Sequence, residues 1–185
     1  MDWDDTVLPT FELRKTQFTI PNDDTRTMFN IYSCCVIQTL EKLMEVGDVV
    51  IVTNAAEGWV KKSCQMFLPL AWPLVKDIPT VYTRTPGDTT TDDVSALSNA
   101  KFTVFTQLVQ TYHPMNIFSL GDGVYERDAL WNLLGEGVLR KCLKFRQHPS
   151  LIELATQHDM VLQRLGEAIS RDQDFEWVFY DPAEM

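Results

Sequence analysis

Short apolar runs alternate with longer segments of helical spacing along most of the chain, and this alternation constrains the fold more than any other feature. Residues 49–52 form a continuous β-branched run, as in strands that are covered on both faces. Two further runs lie at 80–82 and 116–120, with helical spacing between them. The alternation predicts an α/β fold with three α/β/α layers around a Rossmann-like parallel sheet.

Capping residues and terminators set the predicted ends of the elements. Acidic and amide residues at 22–24 cap a helix that continues to about Val46, where Gly47 ends it. Ser150 and Glu153 form a capping box that opens a helix to about Ile169. The other predicted helices cover about 57–67, 94–112 and 125–134, and a long loop covers 85–93. The predicted strands cover 49–52, 80–82, 116–120 and 142–145. Residues 175–180 are either a last strand or an apolar clasp.

The length of 185 residues fits one domain over 1–185. Within it we expect a motif-bearing core at about 1–148 and a C-terminal helix and tail at about 149–185. The net charge of −10 opposes binding to nucleic acid or to an anionic membrane, since both require an excess of lysine and arginine. No apolar run approaches the roughly 18–20 residues of a membrane span, and the acidic amino terminus is unlike a secretory signal.

The four cysteines give a further indication of the compartment. They show no spacing typical of zinc ligands. We therefore expect free thiols in the reducing environment of the cytoplasm.

Polar and charged residues follow the predicted strands or the chain start, at the edge where a parallel sheet collects its ligands. They offer carboxylate, hydroxyl, amide and ammonium groups from distant parts of the sequence. The candidates are Asp2, Asp4, Thr53, Asn54, Lys101, Asp122 and Glu126.

These groups suit phosphoryl transfer. A carboxylate such as Asp2 can attack phosphorus, and a second one at Asp4 can protonate the leaving oxygen and then deprotonate water. Neighbouring carboxylates repel each other, so a divalent cation is needed, and ligand sets made only of oxygen, with Asp122 as a third carboxylate, favour Mg²⁺. Thr53 can donate to a phosphoryl oxygen, and Lys101 can neutralise negative charge there.

The order of these residues resembles the four motifs of the haloacid dehalogenase-like superfamily. Asp2-x-Asp4-x-Thr6 is similar to the first motif, Thr53 to the second and Lys101 to the third. Gly121-Asp122-x-x-x-Glu126 is similar to the fourth, with glutamate where aspartate is commoner. The amino-acid sequence of residues 2–10 and 52–60 also resembles that of uncharacterised eukaryotic, largely protist, members of this superfamily.

The resemblance implies a role for each candidate. Asp2 would be the nucleophile and Asp4 the general acid/base, and Thr53, Lys101 and the backbone near Asn54 and Ala55 would bind phosphate. Mg²⁺ would be held by the Asp2 carboxylate, the Asp4 carbonyl, Asp122 and Glu126.

The room for a cap domain, a folded insertion that encloses small substrates in this superfamily, bears on the expected substrate. The segments between Thr6 and Thr53, and between Thr53 and Lys101, are mostly core elements, which leaves no room for a sizeable cap. The resemblance then implies a capless enzyme with an open site, acting on a phosphoprotein or another large phosphoester. Only Met1 precedes Asp2, so we expect a first strand that is very short or lacks its start. The alternative is a catalytically weak relative that serves as a binding or scaffold module.

Blander interpretations of several residues stay open at this point. The acids at 2–5 could instead form a solvated terminus without a catalytic role, and residues 121–123 could form a simple turn. Three other lysines are rivals of Lys101, namely Lys61, Lys62 and Lys76. Three histidines are expected at the surface or in caps, namely His113, His148 and His158. Three basic residues on a predicted strand are interpreted as charges that protect a sheet edge, namely Lys141, Lys144 and Arg146.

Overall fold

The structure is a computed structural model that describes residues 1–20, 22–84, 94–133 and 137–179. The predicted loop at 85–93 lies outside these residues, as do Leu134 and Tyr180 at the ends of two predicted elements. Within them, helices and strands alternate, so the predicted mixed α/β class is confirmed. The helices are α1 (Thr10–Lys15), α2 (Asp23–Val46), α3 (Trp59–Phe67), α4 (Trp72–Val75), α5 (Val94–Tyr112), α6 (Val124–Trp131) and α7 (Leu151–Ser170).

The strands of the described residues pair in parallel in two small sheets. One sheet contains two strands and the other three, and β4 is the central strand of the larger one. The strands are β1 (Ile51–Thr53), β2 (Thr80–Tyr82), β3 (Asn116–Gly121), β4 (Leu139–Lys144) and β5 (Phe175–Val178).

The first two residues of the chain join the two sheets. Met1 donates its amino group to the Val50 carbonyl at 2.7 Å and accepts from the Val52 amide at 2.9 Å. On the other side, the Asp2 amide donates to the Leu120 carbonyl at 2.9 Å. Residues 1–2 thus act as a very short strand between β1 and β3, and they fix Asp2 from both sides.

The capping residues predicted for the two longest helices, α2 and α7, are confirmed. The Asn22 side chain accepts from the Thr25 amide at 2.8 Å, and Gly47 ends α2. The Ser150 hydroxyl accepts from the Glu153 amide at 3.2 Å, and the Glu153 carboxylate accepts from the Ser150 amide at 2.7 Å. Both helices bury one face, and α2 packs against α7.

Buried apolar side chains form two clusters. The larger cluster joins the buried faces of α2, α3 and α7 to β1, β3 and β4, and fully buried Trp3 lies in it. The Trp3 indole N–H donates to the Ser63 hydroxyl at 2.9 Å, which satisfies its polar atom. The smaller cluster contains Phe105 of α5 and Leu130 of α6.

The prediction of edge-strand charge on β4 is wrong. The strand is flanked by β3 and β5, and both Lys141 and Lys144 are buried. Lysine on a central strand is unusual because burial removes its hydration, so each ammonium needs internal acceptors. The Lys141 ammonium donates to the carbonyls of Ala168 and Ile169 at 2.8 and 3.1 Å, at the C-terminal end of α7.

A cleft of about 360 Å³ lies between β1 and β3, beyond the Met1 end of the short central strand. Its walls include Val50, Phe118 and Ile169, and its lining is mainly apolar. None of the described helices is long and apolar enough to cross a bilayer.

Candidate metal centre

Three carboxylates from opposite parts of the sequence meet at the carboxyl ends of the strands. Asp2 follows Met1 in the sheet, Asp122 lies in the turn after β3, and Glu126 lies in the first turn of α6. Each offers one oxygen, and these oxygens all lie within 4.8 Å of one another. Such a group of oxygens is able to hold a cation, although it does not by itself identify Mg²⁺.

Lys101 of α5 lies between two of these carboxylates. Its side chain is fully buried, its Nζ is 2.9 Å from Asp2 Oδ1, and it is hydrogen-bonded to Glu126 Oε1. Burial alone would lower the pKa of Lys101, but the two carboxylates outweigh burial and raise that pKa above its ordinary value. The rival lysines at 61, 62 and 76 are all exposed, so the structure brings only Lys101, among these four, against Asp2.

Glu126 uses both oxygens within the protein. Oε1 accepts from Lys101, and Oε2 accepts from the Gly123 amide at 3.1 Å. A Cβ atom at Gly121 would lie 2.6 Å from the Glu126 Cγ, and one at Gly123 would lie 2.8 Å from Oε2. The two glycines therefore make the room that the longer glutamate side chain needs to reach Lys101.

The electrostatics of the cluster favour an added positive charge. Burial raises the pKa of Asp2 to about 7, with Glu126 and Asp4 adding to the rise and Lys101 opposing it. Burial likewise raises the pKa of Asp122 well above its ordinary value, and Glu126 and Asp2 raise it further. Burial would also raise the pKa of Glu126, yet Lys101 outweighs it and that pKa lies below its ordinary value. A cation beside Asp2 and Asp122 would stabilise both charged carboxylates.

The Asp4 carboxylate is not a member of the cluster. Its Oδ1 accepts from the Thr10 hydroxyl at 2.5 Å and from the Trp59 indole at 2.8 Å. Its Oδ2 is 3.5 Å from the Thr53 hydroxyl. Asp4 is thus held on the β1 and α3 side of the site, beside Thr53, and the indole contact was not predicted from the sequence.

Thr53 and Asn54 lie together at the end of β1. The buried Thr53 hydroxyl accepts from the Ala55 amide at 3.1 Å. The Asn54 amide oxygen accepts from the Thr83 hydroxyl at 2.5 Å. The structure therefore places Thr53 next to Asp4, while Asn54 is tied to the segment that follows β2.

A tight turn over residues 3–8 carries Asp4. The Trp3 carbonyl accepts from the amides of Val7 and Leu8 at 2.8 and 3.0 Å, and Asp5 has a positive φ of 53°. The Asp5 carboxylate accepts from the Phe11 amide at 2.9 Å. Asp4 and Asp5 are consequently parts of this turn and Asp2 is part of the sheet, so the acids at 2–5 do not form a solvated terminus.

His158 contradicts the prediction that it lies at the surface or in a cap. It is fully buried on α7, and its Nε2 lies 3.0 Å from the Thr6 carbonyl, to which it donates in the neutral tautomer. Its Nδ1 has no hydrogen-bond partner among the described residues. Burial lowers the pKa of His158 to about 4, so the ring is neutral at physiological pH. His113 and His148 are exposed, as predicted.

Lys144 was not predicted as part of the site. It ends β4 beside Gly121, and its Nζ donates to the carbonyls of Asp122 and Phe145. Burial lowers its pKa, and nearby Asp122 and Glu126 oppose that change. A lysine next to buried strand positions was the available signal, but its partner Asp122 lies in the turn that follows another strand.

Comparison with known proteins adds no relative. A scan against models of protein families, a search of curated proteins and a search of solved structures each found no match. Any proposal for the function therefore rests on the geometry of the site. The site consists of three carboxylates, one lysine between two of them, and a neighbouring aspartate and threonine.

Proposed function

We propose that the protein is a magnesium-dependent phosphohydrolase of the capless haloacid dehalogenase-like kind. The observation that carries this proposal is the convergence of Asp2, Asp122 and Glu126 within 4.8 Å. Lys101 lies against two of them, as the order of the four motifs requires. In the proposed reaction, Asp2 forms an aspartyl-phosphate that water then hydrolyses.

The strand connections support the three-layer arrangement that the proposal includes. Residues 1–2 hydrogen-bond to both β1 and β3, and the proposed arrangement joins the two small sheets through this segment. Adjacent residues on a strand face opposite sides of a sheet. Ile51 and Leu143 belong to the larger apolar cluster, whereas their neighbours Val52 and Cys142 belong to the smaller one. Helices on both faces of the proposed sheet would account for this division.

The donor set fits Mg²⁺. Mg²⁺ prefers oxygen ligands and is commonly bound through one or two carboxylates, with water and substrate phosphate completing its coordination. Asp2 and Asp122 supply the carboxylates, whereas both Glu126 oxygens already accept hydrogen bonds. When bound, the cation supplies charge neutralisation for the carboxylates and the phosphate.

The first half of the proposed reaction uses Asp2 and Asp4. An Asp2 carboxylate oxygen attacks phosphorus, and the bond from phosphorus to the leaving ester oxygen breaks. Asp4 donates the proton that the leaving oxygen takes up. Thr10 and Trp59 position Asp4 for this step through their hydrogen bonds to Oδ1.

The second half reverses the proton transfer. Asp4, now a carboxylate, accepts a proton from water as the water oxygen bonds to phosphorus. The bond from phosphorus to Asp2 breaks, which releases inorganic phosphate and the free carboxylate. Thr53 donates to a phosphoryl oxygen in both halves, Asn54 lines the same edge, and Lys101 balances the charge on Asp2.

The proposed substrate is a phosphoprotein or another large phosphoester. Between Thr6 and Lys101, the described residues form only short helices, two strands, α2 and the start of α5, and none of these elements is a folded cap. An open site of this kind admits a phosphoryl group carried on a larger surface. All four cysteines are free, as expected for a protein that works in the cytoplasm.

Hydrolysis of an aryl phosphate tests the proposal directly. The wild-type protein is expected to release phosphate from p-nitrophenyl phosphate with Mg²⁺ and not with EDTA. Asp2→Asn should abolish turnover because an amide is a poor nucleophile, while the circular dichroism spectrum stays unchanged. Asp48→Asn, at an exposed position by the opposite ends of the strands, is the matched control and should retain full activity. Equal turnover by the Asp2 variant would refute the assignment.

The second candidate function is a relative that binds Mg²⁺ or phosphate without turnover. The observation that favours it is the Asp4 carboxylate, whose Oδ1 already accepts two hydrogen bonds. Beryllofluoride distinguishes the candidates, since it mimics phosphoryl-aspartate. A ¹⁹F signal for a bound adduct, together with turnover, supports the enzyme, whereas Mg²⁺ binding with neither of them supports the binding module.

A further inference from the structure

Lys144 is the second buried lysine beside the candidate metal centre. It is the last residue of β4, lies opposite Gly121 in the parallel register, and is 7% exposed. Its ammonium donates to the Asp122 carbonyl and, at 3.2 Å, to the Phe145 carbonyl. One side chain therefore ties the turn that carries Asp122 to the end of the neighbouring strand.

This tie acts on the residue whose orientation matters most to a cation site. Asp122 follows the last residue of β3, and the last hydrogen bond of this ladder runs from the Phe145 amide to the Gly121 carbonyl at 2.9 Å, so strand pairing does not hold the turn beyond that peptide. Removal of the Lys144 ammonium would leave the part-buried Asp122 carbonyl without this donor, and the turn would lose the contact that holds it in place. A shift of the turn also moves the carboxylate.

We propose that Lys144 is a positioning residue that holds the 121–123 turn so that the Asp122 carboxylate faces Asp2. This inference rests on the proposed function, because it assigns Asp122 to a cation. Groups that orient metal ligands from outside the coordination shell typically change metal affinity by about 10- to 100-fold when they are removed. Lys144 acts through the backbone of Asp122 and does not touch the substrate.

Lys141 provides a matched control on the same strand. It is also buried, and its ammonium also donates to two backbone carbonyls. Those carbonyls belong to the C-terminal end of α7 and not to the 121–123 turn. A variant at Lys141 therefore reproduces the loss of a buried lysine and its carbonyl partners without disturbing Asp122.

Calorimetric titration of Mg²⁺ into the full chain tests the role. Lys144→Met should weaken Mg²⁺ binding by about tenfold or more, and Lys144→Arg should recover most of the loss. Lys141→Met should lower the melting temperature but leave the Mg²⁺ dissociation constant at the wild-type value. Should Lys144→Met fail to fold, Lys144→Gln, which loses the charge but keeps a polar head, should weaken Mg²⁺ binding in its place.

The outcomes separate this inference from the proposed function. Wild-type protein that binds no Mg²⁺ would refute both. Wild-type protein that binds Mg²⁺, together with Lys144 variants of unchanged affinity, would overturn the positioning role alone. An equal loss of affinity in Lys141→Met would also overturn it, since general destabilisation would then explain the effect.

Discussion

Two fully buried lysines, Lys101 and Lys141, lie in very different surroundings. Lys101 lies between the carboxylates of Asp2 and Glu126 at the carboxyl ends of the strands. Lys141 lies near the other end of its strand, where it donates to two carbonyls of α7 and lies 5.1 Å from the centre of the Phe118 ring. The first hydrogen-bonds to or contacts two carboxylates, whereas the second contacts carbonyl dipoles and aromatic faces, with Asp172 acting on it from farther away.

The difference shows in the direction of each pKa. Carboxylates raise the pKa of Lys101 above its ordinary value despite complete burial. Burial lowers the pKa of Lys141, and the charge of Asp172 opposes that change only in part. A buried lysine is therefore a weak indication of a functional site until its partners are known. Paired acids around a lysine are the more specific sign.

The largest difference is expected between Lys101→Met and Lys141→Met. The first removes the cation from two buried carboxylates, which costs about 3–5 kcal/mol in the free energy of unfolding, and should lower hydrolysis of p-nitrophenyl phosphate about a hundredfold or more. The second removes hydrogen bonds to carbonyls, costs about 1–3 kcal/mol, and should leave kcat/KM unchanged. Urea titration and steady-state kinetics measure the two effects.

Equal behaviour of the two lysine variants would show that Lys101 and Lys141 do not differ in role. Similar losses of stability would mean that the anionic partners of Lys101 add nothing to its role. A loss of turnover in Lys141→Met, measured where that variant is fully folded, would mean that the two regions are not independent.

His158 is another buried basic side chain, and its hydrogen-bond partner among the described residues is a carbonyl. Its pKa falls from 6.5 to about 4 in the folded protein, so below pH 6.5 the unfolded chain takes up a proton that the folded chain does not. Stability present above pH 6.5 is then lost as the pH falls towards 4, by up to about 3 kcal/mol. Urea titrations across this range measure the loss.

His158→Gln isolates that effect from other titrating groups. Glutamine keeps an N–H donor for the Thr6 carbonyl but does not titrate. The difference in unfolding free energy between wild type and variant should therefore shift in favour of the variant between pH 6.5 and 4. A difference that stays constant with pH would show that the ring is not held neutral.

Gly121→Ala sharpens the description of the Lys101 region. The added Cβ would lie 2.6 Å from the Glu126 Cγ, so Glu126 must move away from Lys101. We expect a loss of about 1–3 kcal/mol and a fall in turnover. Gly166→Ala, in α7, meets no atom within 4 Å and should instead stabilise the protein by up to about 1 kcal/mol. Thermal melts of both variants check the pair, and two equal shifts would contradict the packing.

The smallest expected effect concerns the apolar cleft on the Lys141 side. Ile169 and Phe118 line this cleft, and both contact Lys141. A Val-Ile-Val extension fused ahead of Met1 would continue the short central strand into it and bury apolar surface, for a gain of about 1–2 kcal/mol. A Ser-Gly-Ser extension is the control. Equal melting temperatures for the two fusions would contradict the match between cleft and strand.

Much of the fold could be predicted because local signals agree with tertiary packing. The capped helices α2 and α7 and the apolar strands β2 and β3 begin at or within a residue of their predicted positions. The short helices α1 and α4 were missed, since a few residues give no periodicity. The strand β4 begins at Leu139, earlier than predicted, because its charged residues are satisfied by partners on other elements.

The site was predictable only where chain order carries the information. Asp2, Lys101, Asp122 and Glu126 follow strands or precede them in a fixed order, and the structure brings them together. Three contacts depend on packing between distant parts of the chain, so the sequence did not predict them: the Trp59 indole on Asp4, the Lys144 ammonium on the Asp122 carbonyl, and the Thr6 carbonyl on the buried His158 ring.

The central claim is that a divalent cation binds between Asp2 and Asp122. A crystal grown with Mn²⁺, a redox-stable substitute with anomalous scattering, tests it directly. We expect an anomalous peak within coordination distance of both carboxylates, with Lys101 still paired to Glu126, and no such peak for Asp122→Asn. A crystal in which Mn²⁺ binds only elsewhere, with the two carboxylates turned apart, would show that Asp2 and Asp122 do not form a cation site.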